Sequence, residues 1–297
     1  MLSILIPTYN FDCSSLVHAL LKQCESLKAQ QQYEFDFEIL VADDASPRKE
    51  FVACYEWMRE HSYCHFYPLE KNLGRAKIRN YLASLSKYPY LVFIDCDALV
   101  CTDDFVENYW KNRDIADIVC GALRNLPACP SGGQLRYFYE KAAEKHRGVK
   151  YRNAHPYTYF TTFNVLFHRS VLESVQFDER CTEYGYEDAL MGVVLEKRGY
   201  KVCHIDNPLI HNGIDPSAIY LEKIETSLRV LRRLGEPMQS ASALVCLQRK
   251  LQSYHLLPLV HLIYHIFRPL IHKNLVSGHP SLSLLKFYKL GYYSTLT

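Results

Sequence analysis

Two aspartates, Asp95 and Asp97, flank Cys96 directly after the apolar run Tyr90-Leu91-Val92-Phe93-Ile94. Carboxylates at that spacing suit a hard divalent cation, Mg2+ or Mn2+, which takes oxygen ligands and shares them with substrate phosphates. A cation there would neutralise the diphosphate of a nucleotide-sugar and stabilise it as a leaving group. The other reading of Asp95-Cys96-Asp97 is a polar turn with solvated aspartates. A second acidic pair, Glu187-Asp188, follows Tyr184-Gly185-Tyr186 and opens an amphipathic helical stretch. Acidic residues in a first turn complement the helix dipole. The same pair also offers a general base that takes a proton from an acceptor hydroxyl. His211 sits in Pro208-Leu209-Ile210-His211-Asn212-Gly213, just past a strand-like run, where a neutral imidazole would complete a metal site. With 13 histidines in the chain, a structural role is the competing reading.

Other chemistries lack their motifs. The chain has neither GxGxxG nor GxxxxGK[ST], which argues against dinucleotide oxidoreductases and phosphate-loop ATPases. It has no Gly-x-Ser-x-Gly elbow of the hydrolase type. A net charge of +2 over 297 residues gives no global field for nucleic acid. The 23 tyrosines suit carbohydrate, since a ring face packs on sugar C–H groups while the hydroxyl hydrogen-bonds, although composition bias accounts for them equally well. Eleven dispersed cysteines without a CxxC pair point to free thiols in a reducing compartment. The opening residues lack the regions of a signal peptide, and no long uninterrupted apolar run predicts a spanning helix. The expected location is the cytoplasm or the cytoplasmic face of a membrane.

Strands and helices must position these groups. Apolar runs predict strands over 3–7, 37–42, 65–69, 90–94, 115–123, 160–168 and 200–205. Helical periods cover 14–27, 47–59, 74–85, 134–145 and 187–198. That alternation predicts an α/β fold with a mostly parallel sheet flanked by helices. In such sheets ligands bind beyond the carboxyl ends of the strands. Thr8-Tyr9-Asn10, Asp43-Asp44, Asn72 and Asp95-Cys96-Asp97 each follow a strand, so all four can converge on one crevice.

Together these segments resemble glycosyltransferase family 2, whose members have the GT-A (Rossmann-like) fold. Ser3-Ile4-Leu5-Ile6-Pro7-Thr8-Tyr9-Asn10 is similar to the family's opening strand and nucleotide loop. Glu38 to Ser46 is similar to its second strand, Asn72-Leu73-Gly74-Arg75-Ala76-Lys77-Ile78-Arg79-Asn80 to its Asn-x-Gly segment, and Phe93-Ile94-Asp95-Cys96-Asp97 to its metal motif. Thr161-Thr162-Phe163-Asn164 resembles the loop before the acceptor-side strand, and Phe177 to Val202 holds the second signature block. The resemblance implies that Pro7, Thr8 and Tyr9 line the nucleotide pocket. It implies that Asp44, with Asp43 second, recognises the base, usually uracil, and that Asn72, Arg79, Asp95 and Cys96 contact the nucleotide-sugar. Asp97 is the implied metal ligand, with His211 and Asp95 beside it, for Mn2+ or Mg2+. Asp188 is the implied catalytic base and Glu187 orients the acceptor. The implied reaction is inverting transfer of a hexosyl or N-acetylhexosaminyl group from a donor, expected to be UDP-linked, to a glycan or lipid-linked glycan hydroxyl in surface polysaccharide biosynthesis. The sequence departs from the family at Gly185-Tyr186, where Gly-Gly or Trp-Gly is usual. Alternatives are transfer to polyprenyl phosphate and a non-catalytic nucleotide-sugar-binding scaffold.

The resemblance covers about residues 1–215, the expected transferase domain, and leaves 216–297 as a helical C-terminal extension. Residues 256–275 are apolar but interrupted by Pro258, His261, His265, Arg268, Pro269, His272 and Lys273. The segment reads either as an amphipathic stretch in peripheral contact with a membrane or as a packing or homodimer helix.

Overall fold

The computed structural model describes residues 1–30, 34–236 and 238–296. The chain forms two compact units. The first comprises 1–124, 146–182 and 187–213, and the second comprises 125–145, 183–186 and 214–297.

The first unit is built on one eight-stranded sheet: β1 (Leu2–Thr8), β2 (Phe37–Asp43), β3 (Cys64–Pro68), β4 (Tyr90–Ile94), β5 (Ala98–Val100), β6 (Ile118–Asn125), β7 (Asn164–His168) and β8 (Val202–His211). The order across the sheet is β3-β2-β1-β4-β7-β6-β8-β5. The first four of these strands are mutually parallel, and β4–β7, β7–β6 and β5–β8 pair antiparallel. Parallel pairing requires crossovers, which the Ser14–Ala29 and Arg75–Leu85 helices supply. Such strands are covered on both faces, which is why every residue of β2 is buried and the apolar runs are continuous. One polar pair is built into this core: Ser3 Oγ donates to Glu38 Oε1 at 2.6 Å, and Lys87 N donates to the same oxygen at 2.7 Å.

The register explains where the chemistry collects. Thr8 stands opposite Asp43, while Leu5 stands opposite both Leu40 and Phe93. The residues following β1, β2 and β4 therefore emerge at one edge of the sheet.

Several elements differ from the sequence expectation. The helix expected over 47–59 is a short Lys49–Ala53 helix, none of whose residues is buried, followed by a 3-10 turn at Glu56–Glu60. The strand expected over 160–168 starts at Asn164, because Thr161 and Thr162 turn toward Asp188 instead of pairing. The strand expected over 200–205 runs on through His211, because β5 pairs with its far end. His211 therefore lies within a strand and opposite Ala98.

The second unit is helical. Its principal helices are Gln134–Ala143, Ser217–Leu234, Ala243–Ser253, Leu257–Leu275 and Leu282–Thr295. Tyr220, Leu221, Ile224, Leu228, Leu231, Tyr264, Leu285 and Tyr288 are buried. Leu282–Thr295 packs against both Leu257–Leu275 and Ser217–Leu234. Ser281 caps the last helix by accepting from Leu284 N.

Candidate active site

The loop after β1 is tied to the loop after β2. Asp44 N donates to Thr8 O at 2.9 Å, and Asn10 N donates to Ser46 Oγ at 2.8 Å. Ser46 in turn donates through its backbone N to Asp43 Oδ2 at 2.9 Å and through its hydroxyl to Asp43 Oδ1. Thr8 Oγ1 donates to Phe11 O at 3.0 Å. Asn10 and Ala45 hold left-handed backbone, φ 51° and 59°, a strained conformation for residues with a Cβ that collects at binding sites. Tyr9 is half exposed beside this loop, and Pro7 is half-buried at the end of β1.

Asp44 positions the next segment. Its carboxylate accepts from Leu73 N at 2.6 Å and Gly74 N at 3.0 Å, and its backbone oxygen accepts from Asn72 Nδ2 at 2.8 Å. Burial raises the Asp44 carboxyl above its ordinary range, the two backbone donors oppose the shift, and Asp43 adds to it. Gly74 has φ +81°, and a Cβ there would stand 2.9 Å from Thr182 O, so this junction excludes a side chain. Asp43 and Asp44, both expected to read a base, each hold a loop at this end of the sheet.

The helix that begins at Arg75 delivers two guanidinium groups to the carboxylates. Arg79 is 2% exposed, and its Nη2 donates to Asp95 Oδ1 at 2.7 Å. Arg75 Nη1 donates to Glu187 Oε1 at 3.1 Å. Burial opposes the Arg79 charge, yet the carboxylates of Asp95, Asp188 and Glu187 together hold its pKa above the usual arginine value. Desolvation pushes Glu187 up, but Arg75 and Arg79 outweigh it and leave the carboxyl below its ordinary range. Asp188 goes the other way: desolvation raises it, the neighbouring Glu187 charge adds to the rise, and Arg79 opposes. Asp188 accepts from Thr161 Oγ1 at 3.0 Å, Thr162 N at 3.1 Å and Thr162 Oγ1 at 2.7 Å. Two adjacent carboxylates are thereby pushed apart in acidity, the pattern that separates acid and base roles. Arg79, bonded to Asp95, thus also feels the charge of carboxylates 92 and 93 positions farther along the sequence.

A second pairing lies at the β5–β8 edge. Asp97 Oδ2 is 3.3 Å from His211 Nε2, and Asn212 N donates to Asp97 O at 2.8 Å. A Cβ on Gly213 would stand 1.9 Å from Asp97 Oδ2, so glycine makes the room this carboxylate occupies. The His211 ring packs edge-on to Phe163, whose backbone oxygen accepts from Asp95 N at 3.1 Å. Cys96 packs between the two aspartates against the core, and burial raises its thiol well above the ordinary value, keeping it protonated.

Among the described residues no three His, Cys, Asp or Glu side chains gather as a metal-binding group. The expected ligands fall into two parts: Asp97 with His211, and Asp95 with Arg79. A carboxylate and an imidazole whose nearest atoms are 3.3 Å apart are the kind of donors that would suit Mn2+ or Mg2+, which would need further oxygen ligands from elsewhere. Residues not singled out from sequence also take part. Arg75 and Gly213 have no role legible from sequence, and nothing in Thr161-Thr162 signals that it reaches Asp188. A hydroxyl pair before a strand carries no signal by itself.

The parallel half-sheet with a loop-bound carboxylate edge and an acidic pair at a helix start defines a GT-A-type nucleotide-sugar fold. Residues 3–176 match the family described as glycosyl transferase family 2, and the chain belongs to that family. A relative, the minor teichoic acid biosynthesis protein GgaB of Bacillus subtilis (strain 168), is 23% identical over 199 residues, or 66% of this chain. The chain spans about a fifth of that relative's length (21%). Among solved structures, a mannosyltransferase from Pyrobaculum calidifontis in complex with GDP-Man and Mn2+ superposes with a TM-score of 0.52 at 17% identity, covering 78% of this chain and 63% of the other. Mannosyl-3-phosphoglycerate synthase from Rubrobacter xylanophilus gives 0.53 at 15% identity, covering 80% and 74%. Residues 1–349 of S. aureus TarS in complex with UDP-GlcNAc give 0.50 at 15% identity, covering 77% and 66%. At these identities the structural likeness concerns the fold.

Proposed function

We propose that the chain is an inverting glycosyltransferase that moves one sugar from a nucleotide-sugar, UDP-linked, to a hydroxyl of a glycan or lipid-linked glycan in surface polysaccharide biosynthesis. The observation that carries this reading is the ion pair of buried Arg79 with Asp95, beside the Arg75–Glu187 pair and within the field of Asp188. The teichoic acid relative and the nucleotide-sugar complexes of similar fold support the substrate class.

In this reading the linked loops after β1 and β2 hold the nucleotide, with Pro7, Thr8 and Tyr9 along one side and Asp43, Asp44 and Asn72 along the other. Asp97 and His211 are the side chains that would hold Mn2+ or Mg2+, which supplies positive charge to the donor diphosphate. Asp95 and Cys96 line the floor between nucleotide and sugar. Arg79 fixes Asp95 in place and keeps Glu187 ionised. Asp188 is the base: two threonines aim its carboxylate, and its raised affinity for a proton suits abstraction from the acceptor hydroxyl. Glu187, anchored by Arg75, orients that acceptor. A single base, with no second carboxylate in a nucleophile's role, gives direct displacement and inversion at the anomeric carbon. The eleven dispersed cysteines fit work on the cytoplasmic side, and residues 1–215 carry the transferase domain in this reading.

The test is a thermal-shift panel of nucleotide-sugars with and without Mn2+, followed by donor hydrolysis. The reading expects a UDP-sugar to stabilise the protein only with metal and Asp97→Ala to lose both responses. A flat response to every nucleotide would overturn it.

A further inference from the structure

The Leu257–Leu275 helix turns two apolar sides outward from its own axis. Tyr264, Ile271 and Leu275 are buried, whereas Leu259, Leu262, Ile263, Ile266, Phe267 and Leu270 are exposed, Leu270 by 65%. The exposed set recurs at i, i+3, i+4, i+7, i+8 and i+11, one continuous stripe along the helix. Ile263, Phe267 and Leu270 also line a groove of about 350 Å³ with Ile271, Leu284 and Phe287. A monomeric soluble surface rarely leaves such a stripe uncovered.

Charge says what covers it. Residues 237–297 contain six Lys or Arg, five His and no Asp or Glu, whereas the whole chain carries only +2. His265, His272, Lys273 and Lys286 are exposed on the two helices that form the groove. No helix among the described residues is long and apolar enough to cross a membrane. An apolar stripe of this length, on a segment rich in positive charge and with no acidic residue of its own (Arg268 pairs outside it, with Glu225), matches an interface with phospholipid: side chains enter the acyl boundary while lysines meet anionic headgroups. A second copy of the chain fits less well, because it would set two positively charged faces against each other.

We propose that the exposed face of Leu257–Leu275 docks flat on the surface of an anionic lipid bilayer. The docking is independent of the sugar-transfer chemistry, and its readout needs no donor.

The experiment is flotation of the full chain with vesicles of phosphatidylcholine alone and of phosphatidylcholine mixed with phosphatidylglycerol. Expected is partition roughly tenfold or more stronger onto the anionic vesicles, weakened by added salt. Leu262→Glu with Ile266→Glu, both at solvent-exposed positions, should lower that partition by roughly tenfold or more with unchanged circular dichroism. Lys273→Glu with Lys286→Glu should lower binding to the anionic vesicles only. Absence of binding to either vesicle, equal binding by the Leu262/Ile266 variant, or sedimentation showing a parent dimer that this variant converts to monomer would each overturn the proposal.

Discussion

Replacing Arg79 by methionine keeps most of the side-chain volume and removes one buried positive charge. Arg79 is 2% exposed, and its guanidinium lies in the field of three carboxylates, with Asp95 in direct contact at 2.7 Å. Removing one partner of a fully buried pair costs about 3–5 kcal/mol. Asp95 keeps 27% of its side-chain surface in water, and Glu187 retains Arg75, so the expected loss is smaller, about 2–4 kcal/mol. With a typical urea dependence this lowers the unfolding midpoint by roughly 1 M. The loss must also depend on pH. Glu187, held low by Arg75 and Arg79 against desolvation, stabilises the fold above its unfolded pKa of about 4, and that contribution fades as pH falls through the still lower folded value. Asp188, held high by desolvation, favours the fold at low pH and ceases to do so as pH rises through its raised value. Without Arg79 both carboxyls rise, so the variant's deficit is greatest at neutral pH and shrinks toward pH ~4, where protonation relieves the unpaired charge. Arg79→Lys should recover part of the loss. Urea unfolding of parent and variants at several pH values is the assay. Equal midpoints at pH 7, or a deficit that does not change with pH, would refute the electrostatic account of this cluster.

Asp188→Asn should lower turnover by roughly 10²–10⁴-fold while leaving the donor-induced thermal shift intact, and the acid limb of the parent's rate profile should lie above the ordinary aspartate range; unchanged turnover would remove Asp188 as the base. Gly213→Ala places a Cβ 1.9 Å from Asp97 Oδ2, so calorimetric Mn2+ binding in the presence of UDP should weaken as much as in His211→Ala; parent-like binding would detach the Asp97–His211 pair from the metal. Asp44→Ala removes two backbone hydrogen bonds to a charged acceptor and should destabilise by about 2–4 kcal/mol, with nucleotide affinity falling in parallel; a melting temperature like the parent's would show that the Asn72–Gly74 loop holds itself.

The strands that read as continuous apolar runs, Leu2–Thr8, Phe37–Asp43 and Tyr90–Ile94, were legible in the sequence because burial on both faces writes itself locally as hydrophobicity. So was the family: blocks similar to its own follow one another in order from Ser3 to Val202, and the family match covers residues 3–176. The end of β8 was not legible. Pro208-Leu209-Ile210-His211 reads as a segment beyond a strand, and only pairing with the three-residue β5 makes it part of one. The same holds for the site's internal wiring. Type and spacing singled out Asp95, Asp97, Glu187 and Asp188 as chemical groups. Which arginine each carboxylate faces, the threonines on Asp188, and the opposite directions in which Glu187 and Asp188 shift all depend on partners distant in the chain. Hydrophobic pattern is a property of neighbours in sequence, while the acidity of a carboxyl is set by charges and solvent that reach it through space, and only the folded sheet edge brings those together.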